Sequence, residues 1–293
     1  MKIFKRVLNI ILSFLLIILI ALSIVINILQ NNILNKDYIL SKMEETQVYL
    51  QVSREVDSGF ENYIYQSGLP EDIIKNLYTE ETIKNDVNSF INAIYDGTEV
   101  QISDSVIRET LDNRINEYLS SQNKTLNEQG KKNVDKFEDL IVNEYKSNVN
   151  AYGSLYKTGH EFLEKLNQIV EKVKFIQIIL IIVFVILLII NNFKNLLLVI
   201  NYVCISLLSL GILIKIGVSI IFSKIDIDNI LLITKALSNL LINISKEILY
   251  TCLDYANVFI VVGIVGIFVY AIADNVKKIE HTKKPKCRRL SKK

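Results

Sequence analysis

Few side chains in this sequence stand at a spacing that chemistry could use. His160 is one of two histidines, and it sits in "GHEFLE" with Glu161 beside it and Glu164 one helical turn on. That is half of a zinc-protease helix, in which two histidines four residues apart share one face and a glutamate acts as base. The second histidine and any third ligand are missing, so His160 reads as a surface residue near a helix start. "DIDN" at 226–229 has the acid spacing that opens a calcium loop, but the remaining ligands and the turn glycine are absent. An acid cluster at a helix N-terminus explains it better. The chain contains no GxSxG, Walker A or GxGxxG pattern. No catalytic, cofactor-binding or metal-binding residue is expected, and the chain reads as non-enzymatic.

What remains is charge in unusual places. Lys215 lies inside a long apolar run, about seven residues from its end. A lysine there can extend its head toward water, or it can pair with a carboxylate such as Asp254. An ionisable residue within a membrane span is a candidate functional residue by default. The C-terminal stretch 277–293 carries nine Lys/Arg against one acid. Its Lys277, Lys278, Lys283, Lys284, Lys286, Arg288 and Arg289 suit anionic lipid headgroups next to a span. The same charges fix orientation, and nucleic acid is not an expected partner of so short a tether. Cys204, Cys252 and Cys287 are scattered and form no disulfide framework.

The elements that carry these residues follow from hydropathy. Hydrophobic residues make up 51% of the 293 residues, and mean hydropathy is +0.32. Apolar runs at 7–29, 175–190, 196–222 and 256–273 read as membrane spans. A single helix over 175–222 would be about 70 Å long at ~1.5 Å per residue, against a hydrocarbon core of about 30 Å. Tilt cannot absorb that excess. The polar island Asn191-Asn192-Phe193-Lys194-Asn195 therefore predicts a turn, since Asn favours caps and turns.

Orientation follows from Lys and Arg near the spans. Residues 1–6, the turn 191–195 and the tail 274–293 are basic, and four spans place all three on one side, expected to be cytoplasmic. Residues 30–174 and 223–255 then lie outside. The first of these holds 16 Lys/Arg and 25 Asp/Glu, so the near-neutral total of +2 conceals an acidic exterior and a basic interior. Ala21-Leu22-Ser23 is a passable small-x-small cleavage site, but apolar sequence continues through residue 29.

Residues 30–174 read as a helical bundle. The segment 31–65 is expected to continue as one helix, which "SGLPED" then breaks. Thr79 is placed as the N-cap of a helix carrying Ile83, Val87, Phe90, Ile91 and Ile94 on one face, ended by Asp96-Gly97. Ser103 or Asp104 opens the next, with Ile107, Leu111, Ile115 and Tyr118 in register. Thr125 and Glu128 match a capping box ahead of Val134, Phe137, Ile141, Tyr145 and Val149. Phe162, Leu166, Ile169 and Val173 predict a helix that runs unbroken from about 156 to about 190. The stretch 223–255 is amphipathic through Ile230, Ile233, Leu237, Leu240, Leu241, Ile244 and Ile248. It could lie in the interface, pack under the bundle or dip into the membrane. The glycine pairs 211/217 and 263/266 would permit close helix contact.

The layout, with the stretch "SGLPEDIIKNLYTEETIKNDVNSFINAIYDGTEV", resembles the small four-span envelope proteins of unknown function found in Gram-positive bacteria. The resemblance implies a plasma-membrane location and carries no chemical motif. The expected fold is all-α: a polytopic membrane protein with four transmembrane helices and an extracytoplasmic helical bundle between spans one and two. The expected role is a non-enzymatic, multi-pass plasma-membrane protein whose outer domain senses, scaffolds or assists a membrane or envelope complex. The alternative is a small transporter or channel component. Expected partners are the bilayer and another membrane or envelope protein, with self-association compatible. No cofactor is expected.

Overall fold

A computed structural model describes residues 2–150, 155–230 and 234–283. Every regular element among them is helical. The long helices are α1 (Lys2–Ile28), α2 (Lys36–Glu45), α3 (Val48–Ser67), α4 (Glu80–Asp96), α5 (Asp104–Ser121), α6 (Glu128–Val149), α7 (Leu155–Asn191), α8 (Leu197–Lys224) and α9 (Lys235–Lys283). Four segments are long and apolar enough to cross a membrane: Ile3–Ile33, Leu155–Asn191, Leu197–Lys224 and Lys235–Ile279. The chain divides into two compact units. Unit 1 is Met1–Leu29, Ile169–Ile227 and Ser245–Lys293, and unit 2 is Gln30–Gln168 with Asp228–Ile244.

Unit 1 holds the apolar helices. The run 175–222 is two helices, because α7 ends at Asn191 and α8 begins at Leu197. The Asn195 N–H donates to the Asn192 carbonyl at 2.8 Å to close the turn. Leu12 and Leu16 of α1 pack with Leu188 and Val199, and Ile24 and Ile28 pack with Leu210. Polar clasps supplement this packing. Asn9 Nδ2 donates to Asn192 Oδ1 at 3.0 Å, and Asn9 Oδ1 accepts from Asn191 and Asn192 at 2.6 and 3.0 Å. Toward the other end of α1, buried Gln177 donates to the Leu19 carbonyl at 2.7 Å and to the Ser23 hydroxyl. Ser23 belongs to the small-x-small site, and in the fold it is a hydrogen-bonding partner within the helix packing. In an apolar medium such amides need partners inside the protein.

The glycines of α8 and α9 mark where these two helices approach. A Cβ on Gly263 would lie 2.7 Å from Leu208 Cβ and 2.9 Å from the Cys204 carbonyl oxygen, and one on Gly211 would lie 2.7 Å from the Ala256 carbonyl oxygen. One on Gly266 would overlap the Cys204 sulfur. Gly217 faces open space and takes no part.

Unit 2 is a helical bundle around α3. Val52, Val56, Phe60 and Ile64 of α3 meet Ile83, Val87 and Phe90 of α4, while Ile107, Leu111 and Ile115 of α5 and Phe137, Ile141 and Tyr145 of α6 complete the core. Thr79 caps α4 through a reciprocal box with Thr82, and Gly97 ends it at φ +70°. Two departures from the sequence reading concern helix ends. Residues 31–65 are not one helix. A π turn at Leu29–Ile33 is followed by the Asn35 cap, whose side chain accepts from Tyr38 N, and Gln47 adopts a left-handed φ of 55° between α2 and α3. The cap of α6 is Asn127, not Thr125, and it accepts from the Gly130 N–H at 2.7 Å. On α7 the helix is continuous as expected, but its stripe does not form a core: Phe162 and Ile169 are exposed and Val170 is buried.

The stretch after α8 turns through Ile227–Asn229 before α9 begins. Lys235 and Asn239 hydrogen-bond to α3. Of the stretch 223–255, residues 228–244 thus belong with the bundle, while 223–227 and 245–255 cluster with the apolar helices. Ile233 lies outside the described residues.

Candidate functional site: a polar cleft in the helical bundle

Among the described residues, the side chains singled out in the sequence do not converge. Lys215 is exposed on α8 and makes no ion pair with a described residue, and Asp254 is exposed on α9. Lys277 and Lys278 are exposed on the last turns of α9, and Lys278 Nζ pairs with Asp274 at 2.7 Å. Lys283 ends α9, and Lys284, Lys286, Arg288 and Arg289 lie outside the described residues. His160 has a structural task. Its Nδ1 donates to the Ile94 carbonyl at 3.0 Å, which ties α7 to the C-terminal turn of α4. Among the described residues no three His, Cys, Asp or Glu side chains group as a metal site.

The hydroxyls around Asp86 are equally committed to structure. Tyr145 donates to Asp86 Oδ2 at 2.7 Å, and Ser103 donates to the same carboxylate through its N–H at 2.9 Å and its hydroxyl at 2.8 Å. Burial and the neighbouring carboxylate hold the Tyr145 hydroxyl far above its ordinary range. Burial likewise raises Tyr78, which donates to Asp57 at 2.5 Å, and pushes Tyr49 up to about 12. None of these phenols exchanges a proton near neutral pH.

A cleft of about 730 Å³ opens instead between α3, the end of α6 and the start of α9. The helical period makes one wall of it. Gln51, Arg54, Glu55 and Ser58 fall on one stripe of α3, beside the buried Val52–Val56–Phe60 stripe. Asn148 comes from α6, and Thr234, Lys235 and Asn239 come from the start of α9. Every described lining residue is polar or charged. Asn239 Nδ2 donates to Gln51 Oε1 at 2.8 Å, and Glu55 Oε1 accepts from the Lys235 N–H at 3.1 Å. Thr234 Oγ1 accepts from the Leu237 N–H at 3.3 Å. Asn148 is occupied by Glu144, through its carbonyl at 2.9 Å and its carboxylate at 3.0 Å. The Arg54 guanidinium and the Lys235 ammonium pair with no described carboxylate. The cleft is thus walled by hydrogen-bonding groups, with the Arg54 and Lys235 cations set against one carboxylate, Glu55, whose Oε2 is buried without a described partner, and it is suited to holding a polar surface or solute.

The sequence held no signal for this cleft. Its α3 residues look like any solvated helix face, and their partners lie about 180 residues further along the chain. Against models of protein families, curated proteins and solved structures, the chain returns no match.

Proposed function

We propose that the chain is a non-enzymatic, multi-pass plasma-membrane protein whose helical bundle lies outside the cytoplasm and serves a membrane or envelope complex as a sensing or scaffolding element. One observation carries this reading. The helix that supplies Lys235 and Asn239 to the polar cleft also contains the fourth apolar segment. A partner bound in the cleft would therefore touch a helix that enters the bilayer. The charge pattern supports the orientation. Basic residues flank α1 at its start, the α7–α8 turn and the end of α9, and Lys5 Nζ lies 3.4 Å from the Asn191 carbonyl. The first two basic segments thus sit at one end of unit 1. Both termini are assigned to the cytoplasm on this ground.

Crosslinking in native membranes followed by purification tests the role. The chain should recover a defined membrane or envelope protein, and Arg54→Glu with Asn239→Ala should lower that recovery at least fivefold without lowering expression. Equal recovery with the doubly substituted chain would remove the cleft from the interaction. Solute uptake by liposomes containing only this protein would replace the reading with that of a transporter.

A further inference from the structure

A second cavity lies elsewhere in the bundle, and its walls have the opposite character. It measures about 470 Å³ and sits between the C-terminal turns of α3 and α5 and the first turns of α6. Ile115 and Phe137 are buried at its floor, and Leu69, Leu119, Leu126 and Val134 form half-buried sides. Leu140 remains exposed at its edge. The volume is within the range of small-molecule sites, which are apolar with a few polar groups that fix orientation.

The polar groups on the rim show which orienting chemistry is left. The Ser67 hydroxyl already donates to the Ile64 carbonyl at 2.8 Å and accepts from the Leu69 N–H at 3.0 Å. Asn133 Oδ1 accepts from Gln129 at 3.1 Å, and the Tyr63 hydroxyl is 3.4 Å from Glu144. Lys136 is the one charged residue on the described wall, and it forms no ion pair with a described residue. In the same unit Lys36, Lys75, Lys84, Lys146 and Arg108 are paired with acids, whereas Lys124, Lys131 and Lys132, like Lys136, pair with no described acid, and of these four only Lys136 lines the cavity. In a bundle with an excess of acids, an unpaired lysine over an apolar trough is complementary to an apolar chain ending in a single anionic group.

We infer that the groove between α3, α5 and α6 binds a single-chain anionic amphiphile of the long-chain fatty-acid class, its chain along Leu119, Val134 and Phe137 and its carboxylate at Lys136. The occupant is distinct from anything held in the polar cleft, whose described wall has no apolar side chain. An amphiphile also enters any bilayer, so the test must locate it on the chain.

The test uses the full chain in lipid nanodiscs with a photoreactive diazirine palmitic acid and the matching palmityl alcohol, and maps the labelled peptides by mass spectrometry. The acid should label the peptides that contain Leu119 and Val134–Phe137 saturably, and excess unlabelled palmitic acid should suppress that labelling. Lys136→Gln should weaken the acid roughly fivefold to tenfold, as expected for loss of one charged hydrogen bond, and leave the alcohol unchanged. Leu119→Gln and, separately, Val134→Gln should remove labelling by both probes. Circular dichroism identifies a variant that has failed to fold, and the other then decides. Labelling confined to the four apolar helices overturns the inference. So does groove labelling by the acid that Lys136→Gln does not change. Protection of the groove by an acidic amphipathic peptide, with no protection by palmitic acid, assigns it to a protein partner and also overturns the inference.

Discussion

Glu138 is buried between α5 and α6, with Oε2 3.5 Å from Arg108 Nη1 and Oε1 without a hydrogen bond from any described residue. Arg108 is committed more closely to Asp139, at 2.5 Å. Burial, followed by the charge of Asp112, raises the Glu138 carboxyl above its ordinary value, and Arg108 opposes this only in part. The sign is then fixed. A carboxyl whose folded pKa is raised favours the fold when protonated. That contribution is complete below the ordinary glutamate pKa and is lost as pH rises through the folded one. At pH 7 the charge is a liability. Glu138→Gln is therefore expected to raise the thermal midpoint at pH 7, by a stability gain of about 1 kcal/mol. The gain should fade as pH drops below the ordinary glutamate range. A lower midpoint at pH 7, followed by circular dichroism, would show that the Arg108 pair outweighs burial. Asp86 is the contrasting case, since the three donors from Tyr145 and Ser103 satisfy it. The sequence shows Asp86 and Glu138 alike, as acids beside apolar stripes. Which of them has partners depends on a neighbouring helix, and that is why neither was legible.

Helices were legible where local chemistry decides them. The Thr79 cap, the Gly97 stop and the apolar stripes of α4, α5 and α6 all follow from spacing and backbone preference. Where two local solutions competed, the sequence did not choose between them. Asn127 displaced Thr125 because an Asn side chain also caps well and the Gly130 N–H lies within its reach. The break between α1 and α2 depends on distant partners. Tyr95 donates to the Ile33 carbonyl at 2.6 Å, and Lys36 meets Asp96 at 2.5 Å. The glycines of the apolar helices give a prediction at this scale. Gly263→Leu should force α8 and α9 apart and lower the midpoint in detergent by several degrees, because the backbone at Cys204 cannot yield. Gly217→Leu meets open space and replaces a poor helix former with a good one, so its midpoint should stay the same or rise slightly. Equal midpoints for the two variants would mean that the α8–α9 contact contributes nothing to stability.

For the whole molecule, the four apolar segments and the turn after Asn191 were readable because a bilayer-length run needs only composition to declare itself. The two cavities were not, because each joins residues from three helices. The orientation proposed above is open to direct measurement. Protease added to sealed right-side-out vesicles should cut within residues 30–174 and spare the tail at 277–293, and cleavage of the tail would reverse the assignment. The α8–α9 contact has one more use. Cys204 is buried beneath Gly266, while Cys252 is only partly covered. In a chain with Cys252 and Cys287 changed to serine, the remaining thiol is sealed whenever the two helices are closed. Its rate of alkylation by a maleimide then counts how often they part, so the protein carries its own gauge of the parting of α8 from α9.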